Sequence, residues 1–547
     1  MKLFQNYVFE KYILIFLALF YILGIVIVSD YGISWDESAQ RMHGFINGNY
    51  IIKTILSDEI YNKILSDVTN IKFSDISKDP PDLASHKGRA YGIFYQLPIA
   101  IMETVFKIDD DRSIYLFRHF INFSFFFVSA IYFYKYLKLI FEDKTLLCFL
   151  GLIFLIANPR IFANSFYNPK DIIFLSLFII SNYYGLIFLK NKNLKSCIIF
   201  SICSAALITT RTFGLVVPFV ISIMFFYEFI TSKNKKIFNL LVINMLFVLL
   251  FTYIFWPYLW EDPLNRFLYV IQFFSQKSNE IQMLYFGNKI LSTDLPWHYL
   301  LIYLAISNPG YLITSFIIGL IFFFKSISKN KTQNYMLIYK FLMLVFFLVI
   351  PIILVTQMNT ALYNGWRHFY FLLPTIIIFS LIFVDEIIKL KKNKLLKLFF
   401  IFMLGFNFLF TLFWSIKNHP YQNVFYNNFF GPKPNLSFFS KDYYGLSNKQ
   451  LIQYLVKFEK SDEIYYDFLG SNFYLSLKMF DSATQNKFKL DRNNKDNDQF
   501  YYLFYNNNYP NDEIIFNEKT LDKKVEAVKE IKIDDVVING VYKIYKN

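Results

Sequence analysis

Asp36 and Glu37 stand side by side in Trp35-Asp36-Glu37, shortly after the first apolar run of the chain. A carboxylate can take a proton from an incoming hydroxyl. At a bilayer edge, an acid pair suits chemistry on a substrate whose tail stays in lipid. Three more polar groups occupy comparable places: Asn168-Pro169-Lys170-Asp171, Arg211 within Thr209-Thr210-Arg211-Thr212, and Tyr363-Asn364-Gly365-Trp366-Arg367-His368. Arginine holds a phosphate through its planar fork and lysine as a point charge. A phosphate whose charge is neutralised leaves more readily. Together these groups fit transfer of a sugar from a polyprenyl-phosphate donor. Asp36, Glu37 and Asp171 are the candidate catalytic acids. Lys170, Arg211, Arg367 and His368 are the phosphate candidates, and Lys87 in the first loop is a further one.

Each residue also has a plainer reading. Asp36 suits a helix N-cap. Asp171 follows Pro169 and precedes an apolar run, a helix-start position for an acid. Lys170, Arg211, Arg367 and His368 could reach the interface by snorkelling. His43 and His86 read as ordinary loop residues. No one of these signals is specific; their order along the chain says more.

Membrane helices must position these groups. Of 547 residues, 55% are hydrophobic, with 68 Phe and 41 Tyr, more than a soluble core needs. Runs near the ~20 residues that cross a bilayer fall at 12–29, 114–134, 146–165, 172–189, 196–210, 213–231, 237–256, 309–325, 336–356, 369–385 and 396–416. This makes about eleven spans, with 298–308 as a short interfacial or re-entrant piece. The net charge of +14 comes largely from lysines in the loops between spans. It reads as topology, and nucleic acid is not an expected partner. The clusters Lys135/Lys138/Lys144, Lys190/Lys192/Lys195, Lys233/Lys235/Lys236, Lys325/Lys329/Lys331 and Lys389/Lys391/Lys392/Lys394 fall in alternate connections. The positive-inside rule puts these in the cytoplasm with the N-terminus. The polar groups above and the C-terminal region 417–547 then face outward, as in a bacterial inner membrane protein.

The expected fold is an all-α polytopic membrane domain, 1–416, followed by a small extracytoplasmic α/β domain, 417–547. The first outer loop, 30–113, should carry surface helices, one over Ile93–Phe106. Trp256–Trp260 and Trp297–Tyr299 read mostly as interfacial belt residues. In the tail, Asn448–Phe458 predicts a helix with Ser447 as N-cap. Glu463–Leu469 and Phe500–Tyr505 predict strands, and Val536–Tyr542 a hairpin around Asn539-Gly540. Cys148, Cys197 and Cys203 fall in apolar runs and make no disulfide or metal framework. Asp109-Asp110-Asp111 reads as a solvated helix start.

These residues resemble the GT-C glycosyltransferases, in particular the protein O-mannosyltransferase and aminoarabinose-transferase branch, bacterial family 39-type. The carriers are Trp35-Asp36-Glu37 in the first outer loop, Asn168–Asp171 in the second, and Tyr363–His368. His419-Pro420-Tyr421-Gln422 and Asp442-Tyr443-Tyr444-Gly445 add to them. The resemblance implies that Asp36 is the catalytic base of an inverting transfer from a polyprenyl-phosphate sugar. The implied acceptor is an envelope glycolipid, glycan or protein. Protein is least favoured, because the tail has no sugar-binding trefoil repeat. No cofactor is implied, and divalent-metal use is left open. The rival classes are a transporter or flippase of lipid-linked glycans and a glycan polymerase or ligase. A transporter should show related halves with polar groups at the midplane; no internal repeat is visible, and the spans read as nearly free of charge.

Overall fold

A computed structural model describes residues 2–57, 59–60, 82–142, 144–275, 280–329, 334–357, 361–362, 364–391, 393–427, 434–470, 473–491, 499–506 and 510–545. Tyr363, Lys331 and Lys392 lie outside the described residues, as do 61–81 of the first loop and the side chain of Lys87.

Among the described residues, nine helices are long and apolar enough to cross a membrane, from Phe9–Asp30 to Lys394–Lys417. The chain is a multi-pass membrane protein. The run expected as one span at 146–165 is two helices, Thr145–Ile156 and Pro159–Tyr167, bent by 62°. The break has a local cause. Pro159 cannot donate to the preceding turn, and Asn158 caps the new helix by accepting from the Ile161 N–H at 3.4 Å. The run at 196–210 forms the shorter helix Leu194–Thr210, and Tyr299–Ser307 is a separate short helix.

Asp171–Asn191 and Arg367–Lys389 form the centre of the bundle, each 78% buried, whereas Lys394–Lys417 is 6% buried and presents its apolar side chains outward. The Gly310–Lys329 helix packs on Arg367–Lys389 at Gly319. A Cβ there would lie 1.9 Å from the Phe379 carbonyl oxygen. Backbones meet this closely only over a residue without a side chain.

Ion pairs sort the helix ends. Lys138 reaches Glu10 at 2.8 Å, Lys144 reaches Asp385 at 2.8 Å, and Lys192 pairs with Glu228. These contacts join the lysine-rich ends. At the opposite ends, Asp36, Asp171, Arg211 and Arg367 meet one another. The same helix ends come together that the alternation of the loops assigns to one side.

Beyond Lys417 the chain first runs back over this second face. Tyr31 donates to Gln422 at 3.1 Å, and Lys449 donates to the Ser29 and Tyr31 carbonyls. The loop hairpin β1 (Gln282–Tyr285) and β2 (Asn288–Leu291) touches the tail through a bridge from Tyr285 to Phe439. A five-stranded sheet follows, built from β3 (Ile464–Leu469), β4 (Phe488–Leu490), β5 (Phe500–Tyr505), β6 (Val525–Ile533) and β7 (Val536–Tyr545), in the order β4-β3-β5-β7-β6. β3 runs parallel to β4 and β5, and β7 antiparallel to β5 and β6. The hairpin expected at Asn539-Gly540 turns instead at Asp534-Asp535, whose φ angles are 47° and 66°. A tight I′-type turn needs two left-handed residues, and Asp tolerates that region. Asn539 lies inside β7, where its amide donates to Ser447 Oγ at 2.9 Å and Asn448 Oδ1 at 2.7 Å. Ser447 precedes the Asn448–Phe458 helix but makes no side-chain cap; its hydroxyl goes to Asp442 at 2.6 Å.

Candidate active site

Four helix ends and one tail segment build the site. Ser34 precedes the helix Trp35–Ile55, and its hydroxyl donates to the Tyr167 carbonyl at 2.8 Å. This ties the acid pair to the end of the bent helix. Asp36 lies in the first turn and does not serve as the cap. Its carboxylate pairs with Nη1 of Arg367. The same Nη1 donates to the Tyr444 hydroxyl at 2.9 Å and lies 3.7 Å from Asp171 Oδ2.

Asp171 begins the Asp171–Asn191 helix. Its N–H is met by Asn168 Oδ1 at 2.8 Å, so the cap is made by Asn168 and the carboxylate is released from that duty. Arg211 pairs with Oδ1 and Asn168 Nδ2 donates to Oδ2 at 3.1 Å. Arg211 caps the C-terminus of the Leu194–Thr210 helix, and its pairing with Asp171 replaces the snorkelling reading. Asn168 also donates to the Tyr444 hydroxyl at 3.1 Å. Lys170 sets its Nζ 3.4 Å above the Tyr91 ring, a cation–π contact. His368 lies within electrostatic reach of Arg211, Asp171, Arg367 and Lys170.

Exposure separates the two carboxylates. Asp36 is 32% exposed and Asp171 1%. Of the two, only Asp36 is open to solvent. Three cations, Arg211, Arg367 and Lys170, face these two carboxylates, which leaves the cluster net positive. Among the described residues no group of three His, Cys, Asp or Glu side chains stands ready to ligate a metal. The acids present are already met by arginines.

Glu37 is not part of this cluster. One oxygen accepts from the Ser34 N–H at 2.6 Å, half of a capping box. The other lies 2.8 Å from His119 Nε2. Next to it, Glu103 pairs with both Arg41, at 2.9 Å, and Arg118. Arg118 and His119 lie within the Asp111–Ile140 helix, so that span is not free of charge as expected.

Sequence reasoning passed over Tyr91, Tyr444, Arg118 and His119. Burial pushes the Tyr91 hydroxyl up to about 12, with Arg211 pulling it down and Asp36 and Asp171 raising it further. Arg118-His119 carried a signal, since ionisable residues at membrane depth are costly and rarely idle. Tyr444 lay in a quoted motif but far from the rest in sequence. Of the plainer readings, His43 is no loop residue: it lies on the Trp35–Ile55 helix, buried, with its ring 5.5 Å from that of His86. Trp256 is also buried, whereas Trp297 is 68% exposed as a belt residue would be.

No family model and no curated protein matches the chain. Among solved structures it is similar to ArnT from Cupriavidus metallidurans in the apo state, at 8% identity over 98% of each chain with a TM-score of 0.47. It is similar to the same protein bound to undecaprenyl phosphate at 9% identity over 97% of each chain, with a TM-score of 0.45. The oligosaccharyltransferase of Archaeoglobus fulgidus in the apo form aligns at 9% identity over 73% of this chain and 56% of that one, with a TM-score of 0.43.

Proposed function

We propose that the chain is a GT-C-type glycosyltransferase that moves a sugar from a polyprenyl-phosphate donor to an envelope glycolipid, glycan or protein. The observation that carries this reading is the half-open Asp36 held by Arg367 inside a net positive cluster at one end of the helix bundle. Residues 1–416 are then the catalytic membrane domain and 417–547 an outer domain. The site faces the outside of a bacterial inner membrane and the N-terminus the cytoplasm.

The chemistry follows from the contacts. A donor phosphate is drawn to Arg211, Lys170 and Arg367, with His368 beside them. As it takes Arg367, it displaces Asp36 from that guanidinium and frees its lone pairs. Asp36 then accepts the acceptor hydroxyl proton while the oxygen attacks the anomeric carbon. The bond from that carbon to the phosphate oxygen breaks, and the electron pair leaves with the phosphate. Attack opposite the leaving group inverts the anomeric centre. The arginines and Lys170 neutralise the charge that develops on the phosphate. Asp171 orients Arg211 and stays out of the reaction.

The test is turnover by purified full-length protein given polyprenyl-phosphate sugars and an envelope glycolipid fraction. Transfer with inversion, abolished in Asp36→Asn, is expected. Movement of intact lipid-linked glycan between leaflets, without transfer, would replace this reading with the flippase.

A further inference from the structure

Arg160 is the second residue of the bent Pro159–Tyr167 helix and is 1% exposed. Four arginines are buried among the described residues: Arg41, Arg118, Arg160 and Arg367. Arg41 and Arg118 share Glu103, and Arg367 has Asp36. Arg160 meets no carboxylate among the described residues. Its Nε donates to the Phe425 carbonyl at 2.9 Å, and its guanidinium lies 4.5 Å over the Tyr426 ring. Its Nη2 is buried without a partner. A buried charge left unpaired is costly, and it persists where something compensates it.

The surroundings point to what compensates it. The Tyr443 hydroxyl and the Trp366 indole N–H are also buried without partners. Both can donate to an anion. The hydroxyls of Tyr370, Tyr426 and Tyr443 lie around the guanidinium. Gly365 has a φ of +82°, which a glycine adopts readily, and a Cβ there would lie 3.9 Å from Arg160 Nη1. The same Cβ would lie 3.5 Å from the Tyr303 ring, so on that side the guanidinium is bordered by the glycine backbone and an aromatic face and by no acid among the described residues. This corner adjoins the phosphate cluster: the Arg367 guanidinium lies 6.0 Å from the Tyr443 ring centre, and Arg367 follows Gly365 by two residues.

We infer that Arg160 anchors a second anion subsite next to the donor phosphate. It takes a phosphate or carboxylate group, with Tyr443 and Trp366 as neutral donors. The inference rests on the reading of Arg367, Arg211 and Lys170 as the donor-phosphate site. The group arrives from one of two sources: the second phosphate of a diphosphate-linked donor, or an anionic group on the acceptor. In either case the fork of Arg160 is completed only when substrate is bound, which explains why an orphaned donor is kept in a dry place.

The experiment is equilibrium binding to full-length protein in detergent, comparing wild type, Arg160→Gln and Arg160→Lys. The probes are polyprenyl monophosphate, polyprenyl diphosphate, and inorganic phosphate added to protein saturated with the monophosphate. Monophosphate affinity should stay near wild type in both variants. In Arg160→Gln, affinity for a second anion should fall roughly tenfold or more, the scale of a lost charge-assisted bond. Arg160→Lys should recover part of it. Loss for the diphosphate assigns the subsite to the donor; loss for inorganic phosphate alone assigns it to the acceptor. Should Arg160→Gln fail to fold, Arg160→Lys carries the test, because loss of the fork alone should weaken the second anion. Wild-type protein that binds the monophosphate, with second-anion binding unchanged in a folded variant, overturns the inference alone. Wild-type protein that binds no polyprenyl phosphate overturns the donor reading, and this inference with it.

Discussion

Asp36 and Glu37 are neighbours in sequence, yet their carboxylates join two different ion clusters. Asp36 meets Arg367 beside Asp171 and Arg211. Glu37 meets His119, next to Glu103 with Arg41 and Arg118. The residue types are nearly the same. The difference lies in exposure and charge balance. The first cluster keeps one carboxylate at 32% exposure and carries excess cations. In the second, both acids are at most 3% exposed and have each oxygen against a protein group. A helix places successive side chains about 100° apart, so one turn can feed both clusters. An acid pair in sequence is therefore not an acid pair in space. The open cluster leaves a carboxylate accessible, and the sealed one holds the helix that presents Asp36.

The largest effect is expected in the sealed cluster. Glu103→Gln removes the carboxylate that the buried guanidiniums of Arg41 and Arg118 share. It should destabilise the protein by ~3–5 kcal/mol, the cost of breaking a buried pair by removing one partner. Thermal unfolding in detergent would show it, and an unshifted midpoint would mean that the cluster is not sealed. Next is Asp36→Asn, which keeps shape and removes the proton acceptor. Transfer should drop by at least ~10²-fold, the scale of a lost general base, with the unfolding midpoint little changed. Glu37→Gln should do the reverse: lower the midpoint and leave transfer per folded molecule nearly intact. If Glu37→Gln abolished transfer in a stably folded protein, the two clusters would have to be joined in one mechanism.

A smaller effect tests the cations of the open cluster. Arg211→Ala and Arg367→Ala should each weaken donor binding by ~1.5–3 kcal/mol, roughly ten- to hundredfold. Lysine should recover only part, since the fork is lost. Donor and acceptor titrations run in parallel decide it. Unchanged donor affinity in both variants moves the phosphate elsewhere, with Lys170 and Lys87 the remaining candidates.

The helices and their ends were legible because twenty-residue apolar runs and lysine alternation are written locally. Asn448–Phe458 was legible through its 3.6-residue period, and Phe500–Tyr505 as a short continuous run of strand-forming aromatics. The 62° break was not read, although Asn158-Pro159 marks it, because the run around it stays apolar. The convergence of Asp36, Asp171, Arg211 and Arg367 was legible, since all four sit at helix ends on one face. The partition of Asp36 from Glu37 was not. It depends on Ser34, His119 and Tyr444, which converge only in the folded chain. Arg160 was missed because nothing local shows that a guanidinium lacks a counter-ion.

The smallest effect concerns His43, on the same helix as Asp36 but sealed like Glu37. Its ring is stacked near His86; Nε2 donates to the Gly92 carbonyl at 3.3 Å and Nδ1 accepts from the Asn47 amide at 3.2 Å. Burial lowers it to about 3, with His86 and Lys170 acting in the same direction and backbone hydrogen bonds opposing them. The folded protein therefore holds His43 neutral, while the unfolded chain protonates near 6.5. The unfolded state binds more protons below that point, so stability falls as pH drops from about 6.5 toward 3. At pH 5.5 the loss should be roughly 1.4 kcal/mol, and above pH 7.5 nearly nothing. His43→Gln cannot titrate and should flatten this part of the profile without changing stability at pH 8 by the same amount. The measurement is the unfolding midpoint of both proteins between pH 5 and 8. Parallel profiles would mean that His43 charges freely in the fold, and that the helix bearing Asp36 is open along more of its length than the two-cluster contrast allows.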